Sequence, residues 1–130
     1  MKLVKRPFFI FWLQDYQWMT VKPWIFYPRN VDLNDPRYAP LVKHESVHIK
    51  QQKNMGTIKW LFKYLTDKKF QLSQELEGIA VECISQPNDF LREKCIDDYA
   101  RGLSEGKDYT KLVASKDDAK KLILNAINKL

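Results

Sequence analysis

The chain has 130 residues, with 22 basic and 16 acidic side chains and a net charge of +6, which suits one small domain rather than two. A hydrophobic share of 45%, with 13% aromatic residues, is enough to close a core and excludes the disordered, collagen-like and low-complexity classes. Two cysteines, Cys83 and Cys95, are too few and too oddly spaced for a disulfide scaffold, so free thiols in a reducing, cytoplasmic setting are expected.

The N-terminus places Lys2, Lys5 and Arg6 ahead of an apolar run from Pro7 to Leu13. It has the outline of a signal peptide, but the run is short, bulky and aromatic, and no small-residue cleavage site precedes Gln14, Asp15 and Tyr16. Mature structure is expected there. No stretch approaches the roughly 20 apolar residues of a spanning helix, so a soluble protein without a membrane partner is expected. Phe8 to Leu13 and Thr20 to Tyr27 both suit strands, bounded by Pro7, Pro23 and Pro28. Because Pro23 has no N–H for a ladder, the second segment is predicted as an edge or bulged strand, a place where a peptide can dock. Arg29 to Ala39 follows as a loop, with Asn34-Asp35-Pro36 its sharpest turn signal.

Everything after the loop is predicted helical. A first helix runs from Pro40 to Gly56, the proline in its first turn and the glycine at its stop. The next, from Thr57 to Lys69, carries Ile58, Leu61, Phe62 and Leu65 at spacings of three and four, and is predicted to pack that stripe on the core with lysines opposite. Phe70 to Ser85 forms a third helix, closed by Pro87, and Asn88 and Asp89 open a fourth that stops around Gly102 to Gly106. Ser115 with Asp118 is a capping-box signal for the last, which aligns Leu122, Ile123, Ala126, Ile127 and Leu130. With no repeat and no dividing linker, residues 1–130 are read as one α+β domain. A small N-terminal antiparallel β-sheet packs on a mainly helical body whose central helix holds the motif described next.

The two histidines of the chain, His44 and His48, stand four apart with Glu45 after the first: His44-Glu45-x-x-His48. Residues four apart share a helix face, so both imidazoles can reach one metal ion while Glu45 projects beside it. On this chain's own content of two His and six Glu, chance supplies such a pattern about once in seven hundred sequences. Tetrahedral zinc needs a further protein ligand. The helix after residue 70 offers Glu75, Glu77 and Glu82. At 100° per residue, Glu75 and Glu77 lie on opposite shoulders of the stripe formed by Leu72, Leu76, Ile79, Ala80 and Cys83. Periodicity leaves both open.

His44-Glu45-x-x-His48, then Gln51, Gly56, Trp60 and Tyr64, then Glu75-x-Glu77-Gly78, resembles the small gluzincin-type metallopeptidase domains of bacterial and phage proteins. The resemblance covers roughly residues 40 to 86, its first motif specific and its second weak. It implies a minimal zincin-like fold, bound Zn2+, and a glutamate ligand three residues before a small residue. Glu75 meets this with Gly78 and Glu77 with Ala80; the doublet alignment favours Glu75. The chain departs from the pattern at Ile79, where Asp or Tyr is usual and would support a histidine or line the site.

The implied activity is zinc-dependent hydrolysis of a peptide or protein substrate by a metal-activated water, with Glu45 as general base and His44, His48 and Glu75 as ligands. Tyr64, Tyr99 and Arg101 are of the right type to donate to the oxyanion, and no spacing selects one. In zincins of this kind the peptide lies along an edge strand before the motif helix, which here would be Thr20 to Tyr27. Basicity suits an acidic substrate. Three other readings are weaker. A structural site of His44, His48, Cys83 and Cys95 lacks closely paired cysteines. A basic protein binding an anionic partner lacks any motif for nucleic acid, and Lys53, Lys63, Lys68 and Lys69 suit a solvated face. A zinc-binding interaction module without turnover has no need of Glu45.

Overall fold

The computed structural model describes residues 1–6, 18–106 and 111–130. The strand expected at Phe8 to Leu13 lies outside them. Among the described residues there are three strands: β1 (Lys2–Lys5), β2 (Met19–Val21) and β3 (Trp24–Tyr27), in the order β1-β3-β2. The segment Thr20 to Tyr27, expected as one strand, is a tight hairpin broken at Lys22 and Pro23. Pro23 cannot donate to a ladder, so the chain turns there instead of running on. Nor is the sheet wholly antiparallel: β2 pairs antiparallel with β3, opposing Thr20 to Ile25, whereas β1 runs parallel, opposing Leu3 to Ile25. β2 itself returns the chain between them, running opposite to β3 on its far side from β1. β1 escapes notice in the sequence because it is a short, lysine-bearing edge strand with little buried side chain.

Asp35 accepts a hydrogen bond from the Arg37 N–H and opens a single 3-10 turn, Pro36–Tyr38, which leads directly into α1 (Ala39–Met55). α1 stops at Gly56, whose φ of +96° is one that side-chain-bearing residues rarely adopt. α2 (Thr57–Thr66) starts at once. Asp67 caps α3 (Lys68–Ile84) through the N–H groups of Lys69 and Phe70. Asn88 caps α4 (Asp89–Glu105) through Leu91 N–H, and Ser115 caps α5 (Lys116–Asn128) through Asp118 N–H. Each cap satisfies a donor that the first helical turn leaves without a partner.

The apolar core belongs to the C-terminal half: Ile79 and Cys83 of α3, Cys95, Ile96, Ala100 and Leu103 of α4, Val113, and Ala119 and Ile123 of α5. α1 lies between the sheet and α3. Its buried residues are Pro40, His44, Glu45, His48, Gln51 and Gln52, a face of polar groups where a core helix would carry aliphatic ones. Buried polar groups are tolerated only when each is partnered. Gln52, fully buried, shows how: its Oε1 accepts from Lys22 N–H and its Nε2 donates to the Thr20 carbonyl, at 2.8 and 3.0 Å, tying the hairpin to α1.

The expectation for α2 is overturned. Ile58, Phe62 and Leu65 are 85, 69 and 80% exposed, and the buried residue of the helix is Trp60. α2 turns Trp60 and Tyr64 inward, onto His48 of α1, so the ridge of Ile58, Phe62 and Leu65 faces away from the core. Among the described residues, no helix is long and apolar enough to cross a membrane.

Candidate metal centre

The helical pitch of α1 aims His44 and His48 at α3, and Glu75 meets them from that helix. His44 Nε2 lies 3.5 Å from Glu75 Oε2 and His48 Nε2 lies 3.4 Å from Glu75 Oε1. All three residues are buried, and one potential ligand atom from each lies within 4.8 Å of the others. These separations are too long for a charge-assisted hydrogen bond, which closes to about 2.7–2.9 Å. The two contacts run to different oxygens of one carboxylate, so Glu75 spans the two rings, and each of the three residues can offer one ligand atom to a shared cation.

The backs of both rings are occupied. His44 Nδ1 is 2.8 Å from Glu82 Oε2, and His48 Nδ1 is 2.9 Å from Gln51 Oε1. An acceptor at Nδ1 takes the ring N–H and leaves the Nε2 lone pair pointing inward, which is the tautomer a metal requires. Behind these partners stands another row: Tyr99 donates its hydroxyl to Glu82 and stacks on His44, while Gln51 Nε2 donates to Glu77 Oε2 and to the Gln74 carbonyl. On the opposite side, a Cβ at Gly78 would approach the Cδ2 and Nε2 atoms of His44 to 2.7 Å. The absence of a side chain at Gly78 is what admits the ring. The donor set and this cradle could hold a divalent metal cation.

The electrostatics agree. Burial works to raise the Glu75 carboxyl, but the contact with His44 and the charges of His48 and His44 outweigh it, holding Glu75 down to about 2. Burial likewise disfavours a charged His44, and contacts with Glu75 and Glu82 and the charge of Glu45 overcome it, so the imidazole is held well above its ordinary value. Without a cation, a proton on His44 is the countercharge of this acidic pocket. Burial and the adjacent Glu75 charge push the Tyr64 phenol upward, so its hydroxyl keeps its proton.

Glu45, next to His44 on α1, is buried, and its Oε2 accepts a 2.5 Å hydrogen bond from Thr20 Oγ1 of β2. Of the three residues of the type to assist an oxyanion, Tyr64 is at the centre, donating to Glu75 Oε1. Tyr99 stands behind His44 instead, on Glu82. Arg101 lies on the exposed side of α4, paired with Asp97 at 3.2 Å, and is not brought to the centre. Glu77, the alternative to Glu75, is exposed and holds Gln51. Two positions apart on a helix means 200° of rotation, so only one of the two glutamates can face α1. Cys83 and Cys95 sit together in the α3–α4–α5 core, each a neighbour of the other and neither with the histidines.

Three supporting residues escaped the sequence reading in these roles. Glu82 stands seven residues after Glu75, two helical turns along the same face, and that spacing is a signal for it. Gln51, three after His48, is similarly legible. Thr20 carries no such signal, being 25 residues from Glu45 in sequence.

The expected docking edge is also revised. β3 is flanked on both sides, and the Thr20 carbonyl and Lys22 N–H beside α1 are taken by the Gln52 amide.

Comparison with protein-family models, with curated proteins and with solved structures gives no significant match. The chemistry of the centre therefore carries the functional reading by itself.

Proposed function

We propose that the protein is a zinc-dependent peptidase, with His44, His48 and Glu75 as metal ligands and Glu45 as general base. The carrying observation is the set of three buried donors, one ligand atom from each within 4.8 Å of the others, with both histidines tied at Nδ1. A zinc ion held there supplies Lewis-acid chemistry, polarising a peptide carbonyl and making water a nucleophile near neutral pH.

The chain's own groups do the rest. Thr20 fixes Oε2 of Glu45, leaving the carboxylate to take the proton of the attacking water and return it to the departing amine. Glu82 and Gln51 hold the imidazoles in register. Tyr64, protonated and donating to Glu75, is the hydroxyl that would serve the oxyanion on leaving that carboxylate. The exclusion of bulk water by Trp60, stacked at 4.7 Å on Tyr64, strengthens each of these interactions.

One observation favours the alternative of a metal-binding module without turnover. Tyr64 is engaged by Glu75, and the hairpin edge that would receive a peptide is occupied by Gln52. Zinc-loaded wild-type and Glu45→Gln proteins tested on a peptide library separate the two. Hydrolysis by the wild type that the variant loses, by about a hundredfold or more at equal zinc content, supports the peptidase. Equal activity in both proteins removes Glu45 from the chemistry, and zinc binding without hydrolysis in either leaves the binding module.

A further inference from the structure

α2 is amphipathic in the reverse sense. Ile58, Phe62 and Leu65, 85, 69 and 80% exposed, fall within about 60° of one another around the helix, opposite Trp60 and Tyr64. A contiguous aliphatic and aromatic ridge on a folded surface marks an interaction site. The ridge is bordered by lysines. Lys59 is exposed on one flank beside Lys63, whose ammonium lies 4.9 Å from the centre of the Phe70 ring, and Lys53, Lys68 and Lys69 are exposed beyond the two helix ends. Between residues 50 and 69 there are six lysines against one aspartate, a net +5 of the molecule's +6. That aspartate, Asp67, is engaged in capping α3.

The chemistry of the ridge selects its partner. Surfaces built for proteins are enriched in Trp, Tyr and Arg at their centre and depleted in Lys. Here the ridge is purely hydrocarbon, its aromatic residues with polar tips face inward, and every flanking cation is lysine. Lysine stems can lie along an apolar surface while their ammonium groups reach phosphate, the arrangement of helices that rest in a bilayer interface. We propose that the outward face of α2 docks on an anionic phospholipid surface. Ile58, Phe62 and Leu65 would enter the boundary between headgroups and acyl chains, and Lys59, Lys68 and Lys69 would meet the headgroup phosphates. This goes beyond the hydrolytic reading and does not depend on it.

The test is co-sedimentation of the full chain with vesicles of phosphatidylcholine containing about one third phosphatidylserine, run with chelator present and repeated with Glu45→Gln. Partitioning onto these vesicles, weak on pure phosphatidylcholine and reduced by high salt, is expected. The double change Ile58→Glu and Leu65→Glu should lower it about tenfold or more, and Lys59→Glu with Lys68→Glu should remove the anionic preference. All four positions are exposed, so circular dichroism should match the wild type. No partitioning of the wild type, or equal partitioning of the Ile58→Glu, Leu65→Glu protein, overturns the proposal. So does a wild-type dimer that ignores vesicles and is dissociated by the same pair of changes, which would make the ridge a contact between copies, or capture of an acidic protein in preference to lipid.

Discussion

His44 is fixed from three directions: Glu82 behind it, Glu75 before it, and the bare backbone of Gly78 beneath. The motif residues His44, Glu45 and His48 are legible in the sequence because helical pitch alone places them. Their partners are less so, since Glu82 reaches His44 across 38 residues and Thr20 reaches Glu45 across 25, and only the tertiary fold joins them. Ile79, where the resemblance to gluzincin-type domains implies Asp or Tyr, is a fully buried core residue, and Glu82, one turn further on, meets His44 Nδ1. Glu82→Gln should therefore retain the fold and weaken zinc binding by about 10- to 100-fold, as read by competition with a chromophoric chelator. Glu77→Gln, which keeps an acceptor for Gln51, should change affinity by less than about threefold. Equal losses in the two variants would show that Glu82 does not set the ring.

At the scale of elements, most caps were readable and orientation was not. Asn88 and Ser115 begin helices where side-chain chemistry predicts, whereas the break at Asp67 falls inside the segment Thr57 to Lys69 expected as one helix. Periodicity located the stripe of α2 but could not tell that its neighbours would be polar, because α1 offers α2 imidazoles rather than aliphatic side chains. The same polar contact governs the approach of α1 to α3. Replacing a mid-helix glycine by alanine ordinarily stabilises by about 1 kcal/mol. At Gly78 the new methyl would meet a ring that Glu82 prevents from retreating. Gly78→Ala is expected to reverse the sign, destabilising by about 1–2 kcal/mol in urea unfolding and lowering zinc content. A stabilised, fully zinc-loaded variant would contradict this account of the cradle.

Among the described residues, packing has two unlike centres: an apolar one in α3, α4 and α5, and a polar one between α1 and α3. The second depends on what neutralises it. In metal-free protein that role falls to the His44 proton, whose pKa is raised above the ordinary 6.5. A raised value contributes stability that is complete below 6.5 and lost as pH climbs through the folded-state value. Glu75, held down to about 2, stays ionised throughout that range. Metal binding has the opposite dependence, because the cation must displace the proton. Zinc at a hundredfold excess over its Kd adds about 2.7 kcal/mol, or about 8–12 °C in a domain of this size. That gap between zinc-loaded and chelator-treated protein should widen from pH 6 to pH 8, and a constant or narrowing gap in thermal scans would refute the exchange of proton for metal.

The inward side of α2 also supplies an optical reporter. Trp60 stands 5.6 Å from the His48 ring, whereas Trp18 and Trp24 are grouped with tyrosine and phenylalanine rings around the sheet. Indole emission responds to whether a neighbouring imidazole is protonated, neutral or coordinated, so titration with zinc should change the fluorescence at one stoichiometric equivalent. Trp60→Phe should remove the part of that response that comes from the indole beside His48.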